Sequence, residues 1–215
     1  MNEQSRLQPG SARLLSGVAL VSFAALLLEL SLTRLFSVVL FYHFAFLAIS
    51  VALLGLGAGG VFAFVRRGWL TRFETRQIAA ACCLAGSLLT LAVLEVVLHS
   101  RISLDITMGN FFRLTIVYLA SACPFFCCGV LLSVIFARMS SSIPRLYGAD
   151  LTGGAIACLL TVPALNRLGG PNAILCSALA LAVAAVLWSN TPRLRNLGLV
   201  FAAIFVALTA LNLHG

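Results

Sequence analysis

The chain has 215 residues, of which 61% are hydrophobic and 9% charged, with a mean hydropathy of +1.09. A soluble domain carries about 25% charged and about 45–50% apolar residues, so a soluble enzyme, a disordered tail and a nucleic-acid-binding domain are all excluded as whole-chain readings. The formal charge of +8 does not revive nucleic acid as a partner. All 14 basic residues are arginines, placed singly or in pairs between apolar runs, as membrane topology places them.

Taken in order, the apolar stretches long enough to cross roughly 30 Å of hydrocarbon predict an all-α, polytopic transmembrane bundle of about seven helices, a single membrane-embedded domain over residues 1–215. The first span runs from Leu14 to about Thr33 and contains Glu29. Arg6 and Arg13 ahead of an apolar core look like a signal peptide, but the carboxylate and the lack of a small-x-small cleavage site favour an uncleaved helix. The second runs from about Tyr42 to Val65. Leu35 to Phe41 holds no Gly, Pro or Asn to mark the join, and a turn is expected near Ser37 because one helix over both segments would overrun the bilayer. Further spans follow at about Gln77–Leu98, Leu114–Ala137, Tyr147–Leu165, Ala173–Trp188 and Leu197–Leu213. Pro124 should kink the fourth, and Leu168-Gly-Gly-Pro-Asn172 should form a tight turn between the fifth and sixth. The apolar sequence ends close to Gly215, which suggests a longer parent protein.

Arginine placement sets the orientation. With a cytoplasmic N-terminus that side holds Arg6, Arg13, Arg66, Arg67, Arg72, Arg76, Arg138, Arg145, Arg193 and Arg195, against Arg101, Arg113 and Arg167 on the other, with Arg34 undecided. The expected location is the bacterial inner (cytoplasmic) membrane, with lipid as the surrounding partner.

Ionisable groups inside spans are functional candidates because lipid penalises them. They are Glu29, Arg34, His43 beside Tyr42, and Asp150, which follows Arg145 and Tyr147 at the start of the fifth span. Two uses compete: charges paired between helices to fix bundle register, and a polar cavity for a proton, cation or cationic solute. Glu29, His43 and Asp150 are expected to face the bundle interior, with Arg34 the first candidate partner for Glu29. Five residues apart, these two point about 140° from each other on a regular helix, so a direct pair requires a break. Glu95 and His99 can reach the interface and are read as bland.

Gly55-Leu-Gly-Ala-Gly59-Gly60 matches the dinucleotide fingerprint G-x-G-x-x-G, but that motif needs a strand before it and a soluble helix after it. Inside one apolar span Gly55 and Gly59 read instead as a close-packing face, and Gly153 and Gly154 form a second such stripe. The seven cysteines, Cys82, Cys83, Cys123, Cys127, Cys128, Cys158 and Cys176, lie in apolar runs and read as small hydrophobes. No metal set, no cofactor motif and no catalytic constellation is legible.

Two stretches resemble a known family: Leu28-Glu-Leu-Ser-Leu-Thr-Arg-Leu-Phe through Tyr42-His43 to Gly60, and Arg145-Leu-Tyr-Gly-Ala-Asp-Leu-Thr-Gly-Gly154 followed by Pro163 and Leu168-Gly-Gly-Pro-Asn172. Together they resemble the membrane region of bacterial spermidine-synthase-like proteins, major-facilitator-like helices fused to an aminopropyltransferase-like or methyltransferase-like domain. The resemblance implies a soluble, cofactor-binding domain that this chain lacks, so no catalytic residue carries over; Glu29, Arg34, Tyr42, His43, Tyr147 and Asp150 match the membrane motifs. It implies a membrane domain that anchors a soluble synthase-like domain or subunit, or handles a small solute. A free-standing transporter for a small, cationic solute is the alternative.

Overall fold

The computed structural model describes residues 12–39, 45–99 and 108–214. Its long elements are α1 (Ala12–Val39), α2 (Ala45–Val65), α4 (Thr75–His99), α5 (Met108–Arg138), α6 (Ile143–Trp188) and α7 (Pro192–His214), with a single-turn α3 (Arg67–Leu70) and a 3₁₀ turn at Ser140–Ser142. No strand occurs among the described residues. Among the described residues six helices are long and apolar enough to cross a membrane, which suits a multi-pass protein in a lipid bilayer.

Two boundaries differ from expectation. The turn expected near Ser37 does not occur there: α1 continues to Val39, and the Ser37 hydroxyl donates to the Arg34 carbonyl at 2.7 Å inside the helix. With no Gly or Pro after Arg34, nothing in this stretch stops the helix; the join to α2 falls in residues 40–44, outside the described residues. The second difference is α6, one element of 46 residues where two spans were expected. A straight helix of that length would measure about 69 Å, more than twice the hydrocarbon thickness.

The chain does not run straight through α6. Gly169 has φ 81° and ψ 168°, the one non-helical residue inside the element. That region of backbone space is essentially restricted to glycine. On either side of it, the two arms pack on the same part of α1. A methyl added at Gly153 would overlap the Ala19 carbonyl, and one added at Gly17 would overlap the Trp188 indole. Residues 153 and 188 therefore lie at nearly the same height beside α1, so α6 is bent double at Gly169. Pro171 follows, tolerated because a proline needs no amide donor at the start of the returning arm.

The core forms in two storeys. Leu14, Val18, Ala80, Leu131, Leu146, Leu181 and Trp188 gather near the start of α1. Leu32, Phe36, Ala52, Val97, Phe125, Ile174 and Phe205 gather towards its end. A smaller cluster joins Ala63, Leu70, Ile78, Val130 and Val134. α6 is the most extensive neighbour of α1, and α5 of α2. α7 lies outermost, its Gly198 against Val186 and its Phe205 buried.

The connections gather by side. Arg138 donates to the Leu70 carbonyl at 2.6 Å, the Phe73 carbonyl at 3.0 Å and the Thr75 hydroxyl at 2.9 Å. Asn190 donates to Glu74 at 2.9 Å. The α2–α4, α5–α6 and α6–α7 connections thus meet at the end where α1 begins. Arg13, Arg66, Arg67, Arg72, Arg76, Arg138, Arg145, Arg193 and Arg195 occupy this end, whereas Arg34, Arg113 and Arg167 lie towards the other.

Candidate functional site

Glu29 and Arg34 both belong to the uninterrupted α1. Glu29 is half-buried and Arg34 exposed. The break that a direct pair needs is absent, and among the described residues neither joins an ion pair; the pair that does form is His99 with Glu95, 3.3 Å apart and exposed at the end of α4. The expectation that Arg34 answers Glu29 is therefore not met within the described residues. The reason is helical geometry: five positions turn the two side chains away from each other. Thr33 caps the local backbone instead, donating to the Glu29 carbonyl at 2.8 Å. Tyr42 and His43 lie outside the described residues.

Asp150, for which no partner was named from the sequence, has one on another helix. It is half-buried on α6 and accepts a hydrogen bond from the Ser22 hydroxyl of α1. Arg145 and Tyr147 are exposed on the same helix, at the arginine-rich end. The polar group joins two helices where their backbones touch: Gly153, three residues on, allows the Ala19 backbone against α6, and a methyl added at Gly154 would just meet Leu26 at 3.6 Å. Ser22 could not be singled out from the sequence, since it lies 128 residues from its partner and serine is unremarked in an apolar helix.

The glycines of α2 divide by position. A methyl at Gly55 would strike the Ala122 carbonyl, and one at Gly59 the Phe126 carbonyl, with the Val130 nitrogen 2.8 Å away. From the opposite side, Gly129 of α5 admits the Leu56 backbone. The two backbones are therefore in contact over two turns, as small residues four apart permit. Gly57 and Gly60, the other members of the apparent nucleotide motif, face open space. A phosphate-cradling loop would need exposed backbone N–H groups at a helix start; here the motif lies within a continuous helix.

At the far end Asn172, buried just after the Gly169 bend, donates to the Leu168 carbonyl at 2.9 Å and accepts from Asn212 of α7 at 2.8 Å. This second interhelical polar link also escaped the sequence, where Asn172 read as a turn residue alone. Cys82, Cys83, Cys127 and Cys128 line the facing sides of α4 and α5 as free thiols. No group of three or more potential metal ligands assembles among the described residues. An apolar groove of about 450 Å³ lies elsewhere, between α2, α3, α4, α5 and the start of α7.

No protein-family model matches the sequence, and comparison with curated proteins and with solved structures finds no significant match.

Proposed function

We propose that this chain is the membrane domain of a spermidine-synthase-like protein, crossing the bacterial inner membrane seven times with its N-terminus in the cytoplasm, and that it anchors a soluble aminopropyltransferase-like domain or subunit at the cytoplasmic face. The observation that carries the topology is the bend of α6 at Gly169. It turns one 46-residue element into two antiparallel arms and brings residues 188–195 back to the end that holds most of the arginines. An arginine-rich end is the cytoplasmic one by the positive-inside rule. Anchoring, rather than solute transfer, is supported by how the intramembrane polar groups are used. Ser22 with Asp150 and Asn172 with Asn212 each tie one helix to another, the role such groups fill in membrane bundles. The family assignment rests on the motifs at residues 28–60 and 145–172.

The test of the assignment is the genomic DNA beyond codon 215 and beside it. A continuation that adds one further helix, returning the chain to the cytoplasm before an aminopropyltransferase-like domain, or an adjacent gene encoding such a domain, is expected; the absence of both would contradict the proposal. Anchoring is tested by purified chain in proteoliposomes, which should pass neither protons nor spermidine above empty vesicles. A flux abolished by Glu29→Gln would replace anchoring by transport.

A further inference from the structure

The groove beneath α3 combines two properties that answer a single kind of ligand. Its walls are aromatic and aliphatic: Phe62 from α2, Trp69 and Phe73 around α3, Ile78 from α4, Phe126 from α5 and Leu194 from α7. Its volume of about 450 Å³ lies within the range of small-ligand sites. Trp69 and Phe73 stack edge to face with centroids 5.0 Å apart, and both remain exposed. The second property, charge, belongs to the chain around it, since no lining residue is itself charged. Arg66, Arg67, Arg72, Arg76, Arg193 and Arg195 flank the lining residues in the chain, against one carboxylate, Glu74, whose oxygen is already held by Asn190. Arg76 Nε is shielded from solvent and has no hydrogen-bond partner among the described residues.

Arg138 ties this segment to α5. Its three hydrogen bonds hold the Leu70 and Phe73 carbonyls and the Thr75 hydroxyl at the start of α4. Tryptophan near a membrane surface marks the headgroup level of a bilayer, and Trp69 lies between Arg67 and Arg72 in the chain, so the apolar groove it lines belongs beside the level of the lipid phosphates.

We propose that this groove is a binding site for an anionic phospholipid, its acyl chain against Phe62, Ile78 and Phe126 and its phosphate met by the arginines of the α2–α4 connection, Arg72 and Arg76 foremost. Juxtamembrane basic clusters attract anionic lipid, and guanidinium groups suit phosphate by charge-assisted, bidentate hydrogen bonds. The site depends on the bilayer as the chain's medium and not on what the domain anchors.

The experiment uses the fluorescence of Trp69 in the whole chain, reconstituted in phosphatidylcholine vesicles that contain a small fraction of brominated lipid. Brominated phosphatidylglycerol should quench Trp69 several-fold more strongly than brominated phosphatidylcholine at equal fraction, and a Trp69→Phe variant identifies the signal against buried Trp188. Arg72→Gln and Arg76→Gln should each lower this preference roughly fivefold, at about 1 kcal/mol per arginine near the membrane surface. Equal quenching by the two lipids in the wild-type chain would overturn the proposal, and needs no variant to fold. Displacement by inorganic phosphate in solution would overturn it as well, by showing an anion site indifferent to lipid. Loss of Trp69 quenching on self-association of the chain would assign the groove to a second copy instead.

Discussion

Glycine positions carry the sharpest residue-scale consequences, because helix backbones in contact leave no room for a side chain. Gly59→Leu drives a branched chain into the Phe126 carbonyl and the Val130 nitrogen of α5. Neither is a flexible tip that can move aside. Recovery of folded protein in mild detergent should fall nearly to zero, whereas Gly57→Ala and Gly60→Ala, which face open space, should leave it unchanged. Equal sensitivity at all three positions would mean that helix propensity and not close approach governs this stretch. The Ser22–Asp150 bond is smaller in effect. Interhelical hydrogen bonds in membrane bundles contribute about 0.6 kcal/mol on average and about 1.7 at most, so Ser22→Ala should destabilise by that order. In a cycle with Asp150→Ala the two losses should fall short of adding, since either change removes the same bond. Glu29 and Arg34, by contrast, should behave independently: a cycle on Glu29→Gln and Arg34→Gln is expected to be additive, and a measurable coupling would require the pair that α1 geometry keeps apart.

At the scale of elements, what could be read from sequence depended on whether the signal was local. Span positions were legible because apolar length is a local property: α4 begins and ends close to expectation, and α5 and α7 end beside the expected residues Ala137 and Leu213, though they begin earlier, at Met108 and Pro192 instead of Leu114 and Leu197. The Leu168-Gly-Gly-Pro-Asn172 turn was legible for the same reason, and its geometry sits on Gly169. The end of α1 was not, since Arg34 to Val39 contains no residue that terminates a helix. Helix partners were not legible either. Nothing near Asp150 in the chain names Ser22, and nothing near Asn172 names Asn212. Packing stripes could be seen, though not what packs on them; Gly17 and Gly129, which admit Trp188 and the Leu56 backbone, stood out in no pattern. The groove was wholly hidden, because its wall draws on four helices and the short α3. The bend itself makes a clean prediction. Gly169→Ala places a Cβ at φ 81°, which costs about 1–3 kcal/mol. Gly170→Ala, with open space around it and no positive φ, is its control and should cost far less in a denaturant titration.

Across the whole molecule, the two-storey core, the gathered connections and the arginine distribution all follow from the direction each helix takes. α1 and the first arm of α6 run side by side in the same sense, as Ser22 with Asp150 and Leu26 with Gly154 indicate. The second arm returns to Trp188 beside Gly17. If α6 were one straight rod, residues 188–195 would stand about 69 Å from its start, and the arginine-rich connections could not meet as Glu74 and Asn190 do. The arrangement of all seven segments therefore depends on the reversal at Gly169, and sandwich insertion of a compartment-sensitive reporter tests it directly. Reporters placed at Ser141 and at Asn190 should both report cytoplasm, and one placed at Gly170 should report the opposite side. A Gly170 insertion that reports cytoplasm in a folded, membrane-inserted protein would contradict the reversal, and with it the seven crossings and the cytoplasmic arginine face.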